Sequence, residues 1–233
     1  MNQQDISSLN ENLSKLGTDE ILGQCVESFG DKIAFASSLG LEDQVITHII
    51  ATNNYPIKIF TLDTGRLFPE TYDLISKTNA RYKIKIQVCF PDYREVEDMV
   101  NERGINLFYE SIENRKLCCT VRKTKPLMRA MQGLDAWVTG LRKAQSITRA
   151  DMQIAEWDHM HGLMKINPLL NWSEHDVKDY INQHKIPYNI LHDKGFPSIG
   201  CQPCTRAIQQ GENIRAGRWW WERPEQKECG LHK

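Results

Sequence analysis

No stretch of this 233-residue chain approaches the roughly 18 consecutive apolar residues of a membrane-spanning helix, so none is expected. The opening Met1-Asn2-Gln3-Gln4-Asp5 has neither a basic segment nor an apolar one, and a secretory leader is not expected. Charge of one sign is not in excess: 29 Lys and Arg face 30 Asp and Glu, which gives nucleic acid no overall electrostatic attraction. Internal repeats and low-complexity tracts are absent. So is the Gly-x-Gly-x-x-Gly fingerprint of a dinucleotide fold. The expectation is a soluble cytoplasmic protein, with 40% hydrophobic residues to build a core. In reducing cytosol, cysteines point to metal binding or catalysis instead of disulfides.

Cysteine is what the chain does have. Five of its seven cysteines form a pattern: Cys118-Cys119, Cys201-x-x-Cys204, and Cys229 close to the end. The other two read as structural. Cys25 shares the apolar face of a helix, and Cys89 ends a strand. Charge is also uneven. Between Arg115 and Arg149 nine basic residues face one acid, Asp135, which suggests a local anion site or a solvated helix face. Within that run Arg115 and Arg129 are expected to face solvent.

Short apolar strands alternate with helices at 32–36, 42–52, 57–61, 68–79, 84–88, 93–102, 118–131 and 136–139. A helix from Thr18, capped by the Thr18 hydroxyl and stopped at Gly30, precedes them. This alternation implies an α/β fold, a parallel twisted sheet flanked by helices. A hairpin is expected over 153–166, and Ser173 with Asp176 caps a helix to about His184. Residues 1–16 carry little apolar weight and read as a flexible N-terminal segment. The main domain is expected over 17–210. Residues 211–233 read as an irregular C-terminal tail, its base packed by Trp219-Trp220-Trp221.

Ligands of open parallel sheets bind beyond the carboxyl ends of the strands. Two loops fall there. Ser37-Ser38-Leu39-Gly40 precedes a helix and reads as an anion cradle or a tight turn. Leu62-Asp63-Thr64-Gly65-Arg66 follows the second strand, where Asp63 either accepts from a ribose or orders the loop. Cations expected at this edge are Arg122, Lys123, Arg142, Arg215 and Arg218, which suit phosphate and sulfate oxygens. Four thiolates suit zinc or an iron–sulfur cluster. Adjacent cysteines sit awkwardly on a single ion, so Cys118-Cys119 with Cys201 and Cys204 favours a cluster.

Ser37-Ser38-x-Gly40, Leu62-Asp63-Thr64-Gly65, Cys118-Cys119-x-x-Arg122-Lys123, Gly140-Leu141-Arg142, Ser198-Ile199-Gly200-Cys201-x-x-Cys204, Arg215-Ala216-Gly217-Arg218 and Glu228-Cys229-Gly230-Leu231-His232 together resemble the assimilatory adenylyl-sulfate reductases. The resemblance covers almost the whole chain. It implies an adenine-nucleotide α-hydrolase-like fold and a [4Fe–4S] cluster on Cys118, Cys119, Cys201 and Cys204. It also implies reduction of adenylyl sulfate to sulfite and AMP by thioredoxin, in sulfate assimilation. Cys229 is then the catalytic nucleophile. Ser37, Ser38, Gly40, Asp63, Gly65, Lys123, Arg142, Arg215, Arg218 and His232 are the expected substrate contacts. His232 orients substrate, assists the thiolate, or is simply a terminal histidine.

Where ATP-cleaving relatives read Ser-Gly-Gly-x-Asp-Ser, residues 38–43 read Ser-Leu-Gly-Leu-Glu-Asp, which argues against ATP. Competing readings are the same reaction on 3′-phosphoadenylyl sulfate, an ATP-pyrophosphatase-type thiolation or amidation enzyme, and a zinc-stabilised binding module. The sequence leaves oligomeric state open, a homo-oligomer included.

Overall fold

Alternating apolar strands and amphipathic helices build the expected sheet. The computed structural model describes residues 3–145, 149 and 151–223. Its strands are β1 Ile33–Ala36, β2 Lys58–Leu62, β3 Gln87–Cys89, β4 Ala136–Val138, β5 Ala155–Asp158 and β6 Leu163–Ile166. They form one sheet in the order β3-β2-β1-β4-β6-β5. β1 is parallel to β2 and β4, and β4 to β6, while β5 and β6 form the expected antiparallel hairpin. The helices are α1 Gln3–Leu13, α2 Thr18–Phe29, α3 Leu41–Thr52, α4 Pro69–Tyr82, α5 Tyr93–Arg103, α6 Ile112–Cys119, α7 Lys125–Ala130 and α8 Glu174–His184. No helix among the described residues is long and apolar enough to cross a membrane.

The chain divides into two compact units. The first unit comprises residues 1–61, 74–87 and 131–188. Its core gathers Leu22, Ile33, Phe35, Val45, Ile46, Leu74, Ala136, Val138, Met164 and Ile166, all nearly inaccessible. Burial on this scale is the main stabilising term. The second unit comprises residues 62–73, 88–130 and 189–233. Its smaller core combines Met99, Leu107, Phe108, Val121 and Trp219 with Cys201 and Cys204.

Four expectations need correction. The N-terminal segment forms α1 instead of fraying. Leu13 is fully buried, and the Asn10 side chain donates to Ala155 O at 2.7 Å and accepts from Ala155 N at 2.9 Å, fixing α1 to β5. Thr18 does not cap α2. It is the first helical residue, and its hydroxyl donates to Pro168 O at 3.3 Å, while Gly17 N donates to Glu20 Oε2 at 2.8 Å. β3 lies three residues later than its alternation suggested. Lys83 has a positive φ of 56°, and Ile86 N donates to Asn79 Oδ1 at 3.0 Å, so these residues belong to a turn. The helix expected from Cys118 starts at Ile112, because Ser111 Oγ caps it by accepting from Asn114 N at 3.1 Å. The Ser173–Asp176 capping box of α8 forms as expected.

Candidate active site

Each unit holds part of the expected constellation. In the first, β1 runs into the Ser37–Gly40 loop and α3. Ser37 N donates to Phe60 O at 2.8 Å, and Ser37 Oγ accepts from Leu39 N at 3.1 Å. The strained position is Leu39, with φ 63°, whereas Gly40 adopts an extended conformation open to any residue. Ser38 donates both N–H and Oγ–H to Asp43 Oδ2 at 2.6 Å. Two of the donors expected to cradle a ligand anion are thus turned onto the protein's own carboxyl group. Burial pushes that carboxyl up to about 6, against the Ser38 hydrogen bonds, which lower it. Gly140 follows β4, and a Cβ there would strike the Asp43 carboxylate, so close approach demands glycine.

Glu42 holds the other side of this loop. Arg142, 3% exposed, donates Nε and Nη2 to Glu42 Oε1 at 2.8 and 2.7 Å, and Nη1 to Trp172 O at 3.3 Å. Gln145 Nε2 donates to the same Oε1 at 2.9 Å. The two acids that depart from the ATP-cleaving pattern therefore each fix a functional segment. Asp43 binds the serine loop, and Glu42 binds the arginine after β4.

In the second unit, Asp63 orders its loop. Its Oδ1 accepts from Gly65 N at 2.7 Å and from Tyr72 Oη at 3.0 Å. Gly65 needs its positive φ of 70°. Thr64 Oγ1 lies 3.2 Å from Cys201 Sγ, and Gln202 N donates to Arg66 O at 2.8 Å. This ties the loop to the second cysteine pair. Arg122 ties it to the first: its Nη1 donates to Thr64 O at 2.7 Å. Arg122 belongs to a π-helical stretch, Thr120–Thr124, between α6 and α7. Such wide turns recur at functional sites.

Cys118, Cys119, Cys201 and Cys204 line one cavity, together with Arg66, Arg115, Arg122, Lys123 and Trp219. The six described cysteines are all free thiols, so Cys118 and Cys119 are not bridged. Burial raises the Cys118 thiol, and it pushes Cys204 up to about 12, with Cys201 adding to the effect and Lys123 and Arg218 opposing it. Among the described residues, no group of three or more His, Cys, Asp or Glu stands close enough to hold a single metal ion. The chemistry of the donor set fits a polynuclear cluster: four cysteines line a common space, and Arg66, Arg115, Arg122 and Lys123 on the same lining offset thiolate charge.

The segment after the second pair is strapped back onto this cavity. Trp219 N donates to Cys204 O at 3.1 Å, and Thr205 bridges Arg218. Trp219 is 1% exposed, and the guanidinium groups of Arg115 and Arg218 lie 4.9 and 4.8 Å from its ring. Arg218 Nη1 donates to Ile199 O at 3.2 Å. Arg215 is half-buried three residues earlier. Arg115, expected at solvent, is 1% exposed and paired with Glu222. A lone cation reads as surface until its distant partner is placed. Arg129 is exposed, as expected. Cys229 and His232 lie outside the described residues. Sequence reasoning missed Arg115 and Glu222 as parts of this site. Thr64 and Arg66 stand in the loop after β2 that the sequence singles out, where neither was given a role of its own.

A family model described as phosphoadenosine phosphosulfate reductase domain matches residues 32–207. The adenosine 5′-phosphosulfate reductase of Allochromatium vinosum is 54% identical over 92% of this chain and 83% of its own. That of Burkholderia cepacia is 50% identical over 92% of this chain and 85% of its own. Among solved structures, the phosphoadenylyl-sulfate reductase of Candida auris superposes with a TM-score of 0.78 at 32% identity, covering 89% of this chain and 98% of its own. Yeast FAD synthetase, at TM-score 0.55 and 16% identity over 89% of this chain and 69% of its own, shares the fold alone. The expected adenine-nucleotide α-hydrolase-like architecture is thereby met.

Proposed function

This chain belongs to the phosphoadenosine phosphosulfate reductase domain family, and from that premise we propose that it reduces adenylyl sulfate to sulfite and AMP with reduced thioredoxin as donor. The observation that carries this reading is the lining of one cavity by Cys118, Cys119, Cys201 and Cys204 beside Lys123. The names of the relatives sharing half their residues with this chain support adenylyl sulfate as the substrate.

Those four cysteines would hold a [4Fe–4S] cluster. When bound, it supplies a rigid anionic centre that orders two distant chain segments. Lys123, Arg142, Arg215 and Arg218 neutralise phosphate and sulfonate oxygens, and Ser37, Ser38, Gly40, Asp63 and Gly65 shape the nucleotide loops. His232 orients the substrate. The Cys229 thiolate attacks the sulfate sulfur; the S–S bond forms, the S–O bond to phosphate breaks, and AMP leaves with the electron pair. A thioredoxin thiolate then attacks Cys229 Sγ, sulfite departs with the pair of the S–S bond, and the second thioredoxin thiol resolves the mixed disulfide. The two electrons come from thiols.

Cys229→Ser tests this reading. The variant is expected to keep the brown absorption at about 400 nm and to make no sulfite. Retained turnover rejects Cys229 as the nucleophile. The same reaction on 3′-phosphoadenylyl sulfate is the second reading, favoured by the likeness to the Candida auris structure.

A further inference from the structure

Within the second unit, aromatic side chains stand in solvent where the chemistry described above makes no use of them. Tyr109 is 44% exposed and Trp220 38%, with ring centroids 6.2 Å apart. Trp221 meets both edge-on, 4.5 Å from Tyr109 and 4.8 Å from Trp220. Phe108 backs Tyr109 at 4.6 Å, and Ile105, 62% exposed, leads into the same turn. Tryptophan and tyrosine are the side chains that dominate protein interfaces, because they bury large area with few rotatable bonds. Contiguous exposure of such residues marks interaction sites more often than idle surface.

The patch is built on a rigid base. Tyr109 Oη donates to Pro203 O at 2.7 Å, which fastens it to the loop between Cys201 and Cys204. Trp220 follows Trp219, which is held between two guanidinium groups, and precedes Glu222, which is pinned by Arg115. A surface preorganised in this way loses little entropy when a partner docks.

Chain length limits where the occupant must approach. Cys229 follows Glu222 by seven residues. Fully extended, seven residues reach roughly 25 Å. Whatever protein collects the sulfonate from Cys229 must approach within that radius of the patch. We propose that the Ile105–Tyr109–Trp220 face is the docking surface for the dithiol protein, thioredoxin, that reduces the Cys229 S-sulfonate. The assignment rests on the Cys229 reading above.

The test uses Trp220→Ser, Ile105→Ser and the conservative Trp220→Phe in the full-length holoprotein. Three rates are measured: formation of the Cys229 S-sulfonate from one equivalent of adenylyl sulfate, by intact mass; sulfite release by dithiothreitol; and sulfite release as a function of thioredoxin concentration. Trp220→Ser and Ile105→Ser are expected to leave the first two within about twofold and to raise the thioredoxin KM about tenfold or more, with Trp220→Phe restoring it. An unchanged thioredoxin KM overturns the proposal. So does equal slowing of S-sulfonate formation, which assigns the patch to the chain's own C-terminal segment. A change in oligomeric mass by light scattering also overturns it, by assigning the face to a second copy. If the unsubstituted protein forms no S-sulfonate on Cys229, the underlying reading fails instead, and the two failures are told apart.

Discussion

Arg115 donates Nε and Nη2 to the two carboxylate oxygens of Glu222, each at 2.8 Å, with the side chains 1% and 3% exposed. The pair links α6, one turn before Cys118, to the segment that follows Trp219. Removing one partner leaves the other charged and dry. Glu222→Leu is therefore expected to cost about 3–5 kcal/mol of unfolding free energy, measured by urea denaturation. Arg115→Met/Glu222→Leu together are expected to recover most of that loss, because the desolvation of both charges disappears with them. Equal destabilisation by the single and double variants would show that the pair's shape matters more than its charge.

Asp43 makes stability fall as pH rises. Its carboxyl titrates near 3.8 in the unfolded chain and at about 6 when buried under Ser38. Below 3.8 both states hold the proton. Between 3.8 and about 6 only the unfolded chain releases it, so folding weakens; above 6 the loss is complete and constant. Its full size is roughly 2–3 kcal/mol. Asp43→Asn is expected to flatten this part of the profile, read as the difference in urea midpoint between pH 4 and pH 7 for each protein. An identical slope in both proteins would place the titrating group elsewhere.

The four cavity cysteines make a metal-content prediction. The purified protein is expected to carry about four irons with acid-labile sulfide per chain, and Cys204→Ser to lose both the iron and the absorption at about 400 nm. One zinc per chain and no sulfide would replace the cluster with a structural ion.

Much of this architecture is legible in local sequence, because local sequence is what decides it. The apolar run at Ile33–Ala36 and the Ser173–Asp176 cap carry their own geometry within a few residues. The cysteine pairing is legible for a chemical reason: cysteines set two by two at short spacing are a recurring pattern of metal and cluster ligands. Long-range polar contacts are not legible. Glu222 lies 107 residues from Arg115, and nothing near either one signals the other. The serine loop was half readable. Its small residues suggested a cradle, but only the fold shows that Asp43 takes the Ser38 donors. Helix α6 escaped for a different reason. Ile112–Cys119 has a weakly segregated apolar face, and its cap, Ser111, stands seven residues upstream of the expected start.

Glu42 and Arg142 set up a final prediction, about which nucleotide is preferred. Arg142 is the buried cation after β4, and Glu42 already neutralises it through two hydrogen bonds. At the start of α3, Asp43 takes both donors of Ser38, so this segment offers little compensation for a further phosphate. A 3′-phosphate adds roughly one and a half to two negative charges at neutral pH. The kcat/KM for adenylyl sulfate is therefore expected to exceed that for 3′-phosphoadenylyl sulfate by about tenfold or more, a difference of ~1.4 kcal/mol. Glu42→Gln removes the neutralising charge while keeping a hydrogen-bond acceptor, and it is expected to narrow the ratio by improving the 3′-phosphorylated substrate. Steady-state kinetics on both nucleotides checks each part. A preference for the 3′-phosphorylated form in the unsubstituted protein would reverse the substrate assignment, whereas an unchanged ratio in Glu42→Gln would remove Arg142 from the discrimination alone.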